Sequence, residues 1–289
     1  MRFALFQRHS TPAASVLITA AILGIGAASA GVAAMTSAST WVTSNGSKVR
    51  LVSGTVELDG TTALIAGVQL RMNSGWKTYW KNPGDSGVPP SFDWTGSKNL
   101  KQADPLYPAP HSFAEANGTA IGYDDEVVFP VKLTPEREGE PIELKLAFSY
   151  GLCKDLCVPN DVSLDLVLSP AIGKGDAALI ESFLARVPKQ GKKGLLPEVS
   201  AVEAKLDANP PELIVEAAFQ PGAAATDLFI YAGDVFIPAS KPLAPLDGGK
   251  QRFAIIFATP SEAAAVKGKT LTLTLVSDQG STETIWTVE

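Results

Sequence analysis

The spacing of two cysteines constrains this chain more than any other feature of its sequence. Cys153 and Cys157 are the two cysteines among 289 residues, and three residues separate them. Four steps along an extended strand would place their Cα atoms about 13 Å apart, beyond the roughly 7 Å limit for a disulfide. Residues 142–148 and 162–168 alternate apolar and polar side chains, as half-buried strands do. If the cysteines pair, the chain therefore turns between them, at the join of two strands.

A disulfide at this place suits either a structural or a redox role. The five-residue ring contributes only about 2 kcal/mol on the chain-entropy formula, and a chain of this length buries an ample core without it. A small strained ring also raises the reduction potential, which makes the bond labile. Lys154 would favour a neighbouring thiolate and Asp155 would oppose it, so residue chemistry alone leaves both roles open.

Metal binding is a third alternative. Two thiolates suit Cu(I) or zinc, but structural zinc takes four ligands and this chain has two histidines, His9 and His111. We therefore predict no cofactor, with Cys153 and Cys157 as metal ligands only if Cu(I) is bound.

Charge and composition argue against two other function classes. The formal net charge of −6 lacks the basic footprint of a nucleic-acid-binding protein, so we expect no nucleic acid partner. A hydrolytic triad would have to use His111, and Asp124-Asp125-Glu126 is typical of a solvated loop rather than of an acid/base pair.

Residues 1–30 resemble a secretory signal peptide. Arg2 and Arg8 supply the positive start, residues 16–23 are apolar, and Ala28-Ser29-Ala30 is a small-residue cleavage site. The alternative is an uncleaved anchor, because apolar and small residues continue to Met35. With cleavage favoured, we expect an exported protein that is soluble in the periplasm, an oxidising compartment.

Residues 41–170 predict a β-sandwich, because short alternating strands are separated by Gly and Pro turns. Residues 75–90 predict a strand that packs Trp76 or Trp80 into the core, followed by an ordered loop. Residues 107–118 predict a surface loop that carries Phe113. Pro130 indicates an edge strand at residues 127–131.

The remaining residues predict a second sandwich. Residues 176–186 have helical periodicity with Asp176 as the cap, so residues 171–194 are expected to form a helix and a basic linker. Residues 195–289 contain five further strand patterns and neither cysteine nor histidine. The predicted fold class is all-β, with two immunoglobulin-like sandwiches. The strand patterns lie at residues 212–219, 228–231, 252–258, 270–276 and 282–288.

Several segments between Trp41 and Pro170 together resemble the amino-terminal periplasmic domain of the DsbD-type thiol:disulfide interchange proteins, including the copper-tolerance branch. Each segment is a weak signal, but their shared order is fairly specific. The segments are Gly75 to Asp85, Tyr107 to Pro110, Ile121 to Tyr123, Phe129 to Val131, Tyr150 to Cys153, and Cys157 to Pro159.

The resemblance implies an immunoglobulin-like sandwich whose cysteine pair passes electrons to oxidised partners through mixed disulfides. Cys153 and Cys157 map onto the active pair, with no order of attack assigned. The segment from Pro110 to Gly122 occupies the place of the family's cap loop, with Phe113 as the nearest cap residue and Tyr150 as a possible support. The implied partners are periplasmic thioredoxin-fold proteins, which would make the chain a possible protein-disulfide reductase.

The chain also departs from the family pattern. Its cysteines are closer together than in the best-known member, and it has neither the membrane segments nor the second cysteine pair that supply electrons. We therefore expect a separate membrane electron donor. The alternatives are an exported interaction module with a structural disulfide, and a Cu(I)-binding copper-tolerance protein.

Overall fold

Four β-sheets make up the fold, and they form two sandwiches along the chain. The computed structural model describes residues 1, 4, 36–58, 60–115, 118–246 and 249–289. The predicted signal segment and cleavage site lie outside the described residues, apart from Met1 and Ala4. The fold class predicted from the sequence is confirmed: the described residues are mostly strands, with two short α-helices.

The first sandwich contains eleven strands among the described residues. In chain order they are β1 (Val42–Ser44), β2 (Ser47–Leu58), β3 (Thr61–Met72), β4 (Lys77–Gly84), β5 (Ser91–Asp93), β6 (Leu100–Pro105), β7 (His111–Glu115), β8 (Gly118–Asp124), β9 (Glu126–Pro135), β10 (Ile142–Cys153) and β11 (Cys157–Leu168). One sheet has the spatial order β1-β2-β3-β9-β6, and the other has the order β11-β10-β4-β8-β7 with β5 also paired to β10.

Alternating side chains explain why β10 and β11 pair in one register. Every second residue of β10 from Ile142 to Leu152 is buried, and so is every second residue of β11 from Asn160 to Leu168. Because side chains alternate between the faces of a strand, a slip by one residue would turn these apolar side chains to solvent. The hairpin is therefore held in the register that places Leu144 opposite Leu166 and Tyr150 opposite Asn160.

The structure corrects the prediction of a loop at residues 107–118. Residues His111–Glu115 form β7, which pairs with β8 and is the last strand of its sheet. The segment has no alternating apolar pattern because most of its side chains are exposed. Its main-chain hydrogen bonds to β8 decide its conformation, and the sequence pattern does not reveal them.

The prediction of an edge strand around Pro130 is also wrong. Strand β9 lies between β3 and β6, and Pro130 is paired with Gly67 of β3. The ladder between β6 and β9 ends with Pro105 opposite Val131, and the carbonyl of Pro130 accepts a bond from the Leu106 amide at 2.7 Å. Proline therefore occupies the position where its missing N–H removes no ladder hydrogen bond.

A helix follows the first sandwich, as predicted. Helix α1 spans Ala177–Leu184 after a 3₁₀ turn at Pro170–Ile172, and it buries Ile180 and Phe183 in the core of the first sandwich. Asp176 stands at the N-cap position, but its side chain makes no capping hydrogen bond. Its carboxylate lies 3.9 Å from the guanidinium of Arg50 instead.

The second sandwich has more elements than its sequence pattern indicates. Its elements are β12 (Lys189–Gln190), β13 (Glu198–Lys205), β14 (Glu212–Ala218), β15 (Asp227–Tyr231), β16 (Lys241–Pro242), β17 (Lys250–Ile256), α2 (Pro260–Ala265), β18 (Thr270–Ser277) and β19 (Gly280–Thr287). One sheet has the order β12-β19-β18-β15 and the other β13-β14-β17-β16. The short strands β12 and β16 and the largely exposed β13 escaped prediction because little apolar surface marks them.

The two sandwiches contact each other through β4 and β15. Phe229 of β15 is only 2 % exposed and belongs to the core cluster of the first sandwich, with its ring 6.0 Å from that of Trp80. The buried side-chain amide of Asn82 donates a hydrogen bond of 2.7 Å to a main-chain carbonyl of β15. Strand β15 is therefore attached to β4 by both an apolar and a polar contact.

Across the described part of the chain, we find no helix with the length and apolar character that crossing a membrane requires.

Candidate functional site

The two cysteines form a disulfide at the end of the β10–β11 hairpin. Cys153 is the last residue of β10, Cys157 is the first residue of β11, and they stand directly opposite each other with their Cα atoms 4.0 Å apart. The three residues between them form the turn that the spacing predicts. The bond therefore joins the final pair of a ladder that main-chain hydrogen bonds already align.

The two sulfur-bearing residues differ in accessibility. Cys153 is 5 % exposed, whereas Cys157 and the three turn residues are exposed. Leu156, beside Cys157, is 74 % exposed, so the turn presents an apolar side chain to solvent. The Cys157 end of the disulfide therefore lies at the surface, while Cys153 is buried.

Strand pairing explains which side chains cover Cys153. Cys153 is opposite Lys77 of β4, and residues directly opposite in a sheet share a face. Tyr79 lies two residues further along β4, on the same face, while Trp80 faces the core. We call the face that carries Cys153, Cys157 and Tyr79 the outer face, since the opposite face packs into the core of the first sandwich.

Tyr79 contacts the sulfur of Cys157 on this outer face. Its side chain is 1 % exposed, and its hydroxyl lies 3.2 Å from the sulfur of Cys157. A disulfide sulfur carries no hydrogen, so the hydroxyl is the donor. Burial raises the pKa of Tyr79, and the negative charge of Glu115 raises it further. The hydroxyl therefore keeps its proton at neutral pH and remains a donor.

Two glycines make room for the ring of Tyr79. A Cβ atom on Gly87 would lie 2.3 Å from the ring, and one on Gly151 would lie 3.0 Å from it. Gly87 also has a φ of +124°, a backbone conformation that residues with a side chain rarely adopt. The position of the Tyr79 hydroxyl therefore depends on the absence of side chains at both sites.

Phe113, the cap residue that the resemblance suggested, lies beside the buried residues of the outer face. It belongs to β7, which we call the cap strand (His111–Glu115), and its partly buried side chain packs against the cluster of Tyr79, Ala120 and Cys153. The ammonium of Lys77 lies 5.1 Å from the centre of its ring, within the range of a cation–π contact. Phe113 therefore belongs to the set of side chains that surround the buried cysteine and Tyr79.

Glu115 ties the end of the cap strand to the outer face. Its carboxylate pairs with the ammonium of Lys77 at 2.7 Å and accepts a hydrogen bond of 2.8 Å from Ser86. The hydrogen bond from Lys77 holds the pKa of Glu115 below its ordinary value of 4.5; burial opposes this shift, and the bond from Ser86 and the charge of Lys77 add to it. The carboxylate is therefore charged at neutral pH.

Tyr150, the second support residue suggested from the sequence, lies on the other face of the hairpin. Its ring is stacked on Phe148 with 4.8 Å between ring centres, and its hydroxyl lies 2.8 Å from that of Ser47. Burial raises the pKa of Tyr150, and the hydrogen bond with Ser47 opposes that shift. Tyr150 is therefore a core residue, separated from the disulfide by the sheet itself.

The other polar candidates do not join the disulfide site. His111 pairs with Asp124 at 3.2 Å, with both side chains about half exposed. Glu126 pairs with Arg71 at 2.6 Å. In the part of the chain that the structure describes, no three His, Cys, Asp or Glu residues converge in a group that could hold a metal ion.

The comparisons with known proteins find similarity in the part of the chain that carries this site. Residues 55–169 match the family described as "Thiol:disulfide interchange protein DsbD, N-terminal". The matched range contains Tyr79, Phe113 and both cysteines. The matched part of the chain is therefore similar to the DsbD amino-terminal domain. The match covers most of the first sandwich, and thiol:disulfide interchange is the activity for which the matching family is named.

The likeness to a solved structure extends beyond residues 55–169. The crystal structure of the N-terminal periplasmic domain of ScsB from Proteus mirabilis has a TM-score of 0.67 and 22% identity, over 88% of this chain and 98% of that one. At this identity the likeness establishes the fold, which includes the second sandwich. No curated protein matches the chain significantly.

Tyr79 is the site residue that the sequence analysis missed. Residues 75–90 were predicted to include a strand that packs Trp76 or Trp80 into the core, and Trp80 is 1 % exposed there. Because neighbouring residues in a strand face opposite ways, placing Trp80 in the core puts Tyr79 on the outer face. The sequence pattern does not predict that β4 pairs with the end of β10, and this pairing brings Tyr79 to the cysteines.

Proposed function

We propose that this chain is an exported thiol:disulfide interchange protein that passes electrons through Cys153 and Cys157 to oxidised partner proteins. The observation that carries the proposal is the asymmetry of the disulfide, with Cys157 exposed and Cys153 5 % exposed. A structural disulfide gains nothing from an open sulfur, whereas exchange needs one that a partner sulfur can approach. The match of residues 55–169 to the DsbD family supports the same conclusion.

The proposed reaction has two steps. In the reduced protein, the Cys157 thiolate attacks one sulfur of the partner's disulfide, which forms a mixed disulfide and releases one partner thiolate. The Cys153 thiolate then attacks the Cys157 sulfur, which re-forms the intramolecular disulfide and releases the second partner thiolate. Two electrons pass to the partner, whose thiolates take up the two protons that the cysteines lose.

Tyr79 would assist the first step. In the disulfide form its hydroxyl donates toward the Cys157 sulfur at 3.2 Å. After reduction, the same donor would stabilise the thiolate, because hydrogen bonds to a charged acceptor are stronger than those to a neutral one. The glycines at 87 and 151 leave the space that the Tyr79 ring occupies.

The partners and compartment follow from the same proposal. Oxidised thioredoxin-fold proteins of the periplasm are the proposed acceptors, which would make the chain a protein-disulfide reductase. A separate membrane protein would return electrons to Cys153 and Cys157. The first sandwich (residues 41–170) would carry the reaction. The second sandwich (195–289), which follows the helix and linker (171–194), would support the first sandwich.

Single-cysteine variants test the proposal. We expect Cys153→Ala to form a mixed disulfide with oxidised glutathione rapidly, since it keeps the exposed Cys157. The matched Cys157→Ala variant keeps the covered Cys153 and should react several-fold more slowly. Mass spectrometry of the intact protein measures both rates. Equal rates, or faster reaction of Cys157→Ala, would contradict the assigned order, and no adduct in either variant would contradict the function.

A further inference from the structure

The cap strand carries two neighbouring side chains that point in opposite directions. Phe113 packs against the cluster that contains Cys153, on the outer face of its sheet. Ser112 points the other way, because side chains alternate along a strand, and its hydroxyl donates a hydrogen bond of 2.6 Å to Asp227 of β15. One short strand therefore links the cluster that contains the buried cysteine to the second sandwich.

Asp227 is a fixed anchor for this contact. One oxygen of its carboxylate accepts the bond from Ser112, and the other accepts a bond of 2.8 Å from the main-chain amide of Leu228. Two residues further along β15, Phe229 is buried in the core of the first sandwich against Trp80. The anchor is thus held in place relative to β4, which carries Tyr79.

The cap strand depends on such contacts because it is the last strand of its sheet. Its one strand partner in the described structure is β8. An edge strand with five residues has few main-chain bonds to lose, so it opens more readily than the strands inside the sheet. Glu115 holds its far end through Lys77 and Ser86, and Ser112 holds its near end through Asp227.

We propose that Asp227 of the second sandwich, through Ser112, holds Phe113 against the cluster of Tyr79, Ala120 and Cys153, and so directs exchange to Cys157. Ser112 and Asp227 are positioning residues on this account: they touch neither sulfur, and they act through Phe113. We call the hydrogen bond between Ser112 and Asp227 the tether. Because the tether would determine which cysteine a partner reaches, this inference rests on the proposed function. It gives the second sandwich a task in that function.

The reactivity of each cysteine by itself tests the tether. In a Cys157→Ser background, we expect Ser112→Ala to raise the rate of Cys153 alkylation by iodoacetamide about threefold, which corresponds to about 0.7 kcal/mol. Ser112→Thr keeps the hydroxyl and should restore the slow rate. In a Cys153→Ser background, alkylation of Cys157 should be unchanged by Ser112→Ala, since Cys157 is already exposed.

A matched control separates the tether from a general loss of a serine–aspartate bond. Ser149 donates to Asp161 at 2.5 Å across the β10–β11 hairpin, away from the cap strand. Ser149→Ala should leave Cys153 alkylation unchanged. Asp227→Asn, which weakens the same tether from the other side, should raise the rate in the same direction as Ser112→Ala.

Two results would overturn the tether. One is a Cys153 rate that Ser112→Ala and Asp227→Asn both leave unchanged, and the other is a parallel rise at Cys153 and Cys157, which indicates a loosened hairpin. Alkylation needs no redox partner, so the test is independent of the proposed function. A threefold effect at Cys153, together with no mixed disulfide in either single-cysteine variant, would support the tether and contradict the exchange function.

Discussion

The hydroxyl of Tyr79, a buried residue, lies 3.2 Å from the sulfur of Cys157, an exposed one. The aromatic side chain thus extends across the outer face from β4 to the exposed end of the disulfide. A donor fixed in this way is already oriented before any thiolate forms, so it costs no reorganisation when the charge appears.

Removing this donor should slow exchange. For Tyr79→Phe we expect attack of the Cys157 thiolate on oxidised glutathione to be about three- to tenfold slower at neutral pH, because a hydrogen bond to a charged group contributes about 1.5–3 kcal/mol and part of it is offset by higher nucleophilicity. The midpoint of the pH–rate profile should move to higher pH. Rates measured in the Cys153→Ala background check this.

Tyr107 offers the matched control. Burial raises its pKa to about 12, with a smaller contribution from Tyr231, so it too is a protonated tyrosine at neutral pH. It packs against Phe129 rather than the disulfide. Tyr107→Phe should leave the pH–rate profile of Cys157 unchanged, and an equal shift in both variants would contradict the role assigned to Tyr79.

Gly87 should tolerate no side chain. Gly87→Ala places a methyl group 2.3 Å from the Tyr79 ring at a positive φ, so we expect a loss of more than about 2 kcal/mol of unfolding free energy and slower exchange. Gly60 has a φ of +80° with nothing within 4 Å of its Cβ position. Gly60→Ala should therefore cost about 1 kcal/mol and leave exchange unchanged. If chemical denaturation shows equal losses of unfolding free energy in the two variants, the absence of a side chain at Gly87 has no special role.

The stability that Glu115 supplies should be lost in acid. Because the folded state lowers its pKa, this stability is fully present above the unfolded value of 4.5 and disappears as the pH falls through the lower folded value. The difference in unfolding free energy between wild type and Glu115→Gln should therefore shrink below pH 4.5. Denaturant titrations at a series of pH values measure it.

The exposed pair of Lys98 and Glu143, with 2.7 Å between its charged atoms, is the control for Glu115. Such pairs contribute less than about 1 kcal/mol, so Glu143→Gln should change the unfolding free energy little at any pH. If the difference in unfolding free energy between wild type and Glu115→Gln stays constant through the acid range, the ion pair with Lys77 does not contribute to stability.

The second sandwich should stabilise the first through Phe229. Phe229→Ala removes a ring that is 2 % exposed, so we expect a loss of about 3–5 kcal/mol and an early change in the fluorescence of Trp80, its neighbour. Phe236 is 48 % exposed, and Phe236→Ala should cost less than about 1 kcal/mol. If the two variants unfold alike, Phe229 is not part of the first core.

Local sequence patterns predicted the parts of the fold that bury regular apolar faces. The hairpin of β10 and β11 has such a face, and the five strands expected in the second sandwich are present as β14, β15, β17, β18 and β19. The cap strand could not be predicted in this way, since its conformation depends on hydrogen bonds to β8 rather than on its own side chains.

Contacts between distant segments were the other limit of the sequence. The turn between Cys153 and Cys157 follows from the reach of the chain over four residues. The approach of Tyr79 depends on a pairing between β4 and β10 more than 70 positions apart, and that of Ser112 to Asp227 spans two sandwiches. No periodic pattern within a single segment predicts contacts of this kind.

The reduction potential of the Cys153–Cys157 bond tests the central claim most directly. The oxidised protein is equilibrated with glutathione buffers of known poise, and the reduced fraction is counted by alkylation and mass spectrometry. We predict a value between about −270 and −200 mV, the range of thioredoxin and the glutaredoxins. A value below about −300 mV would mean a bond that stays closed in its compartment, and would contradict a role in exchange.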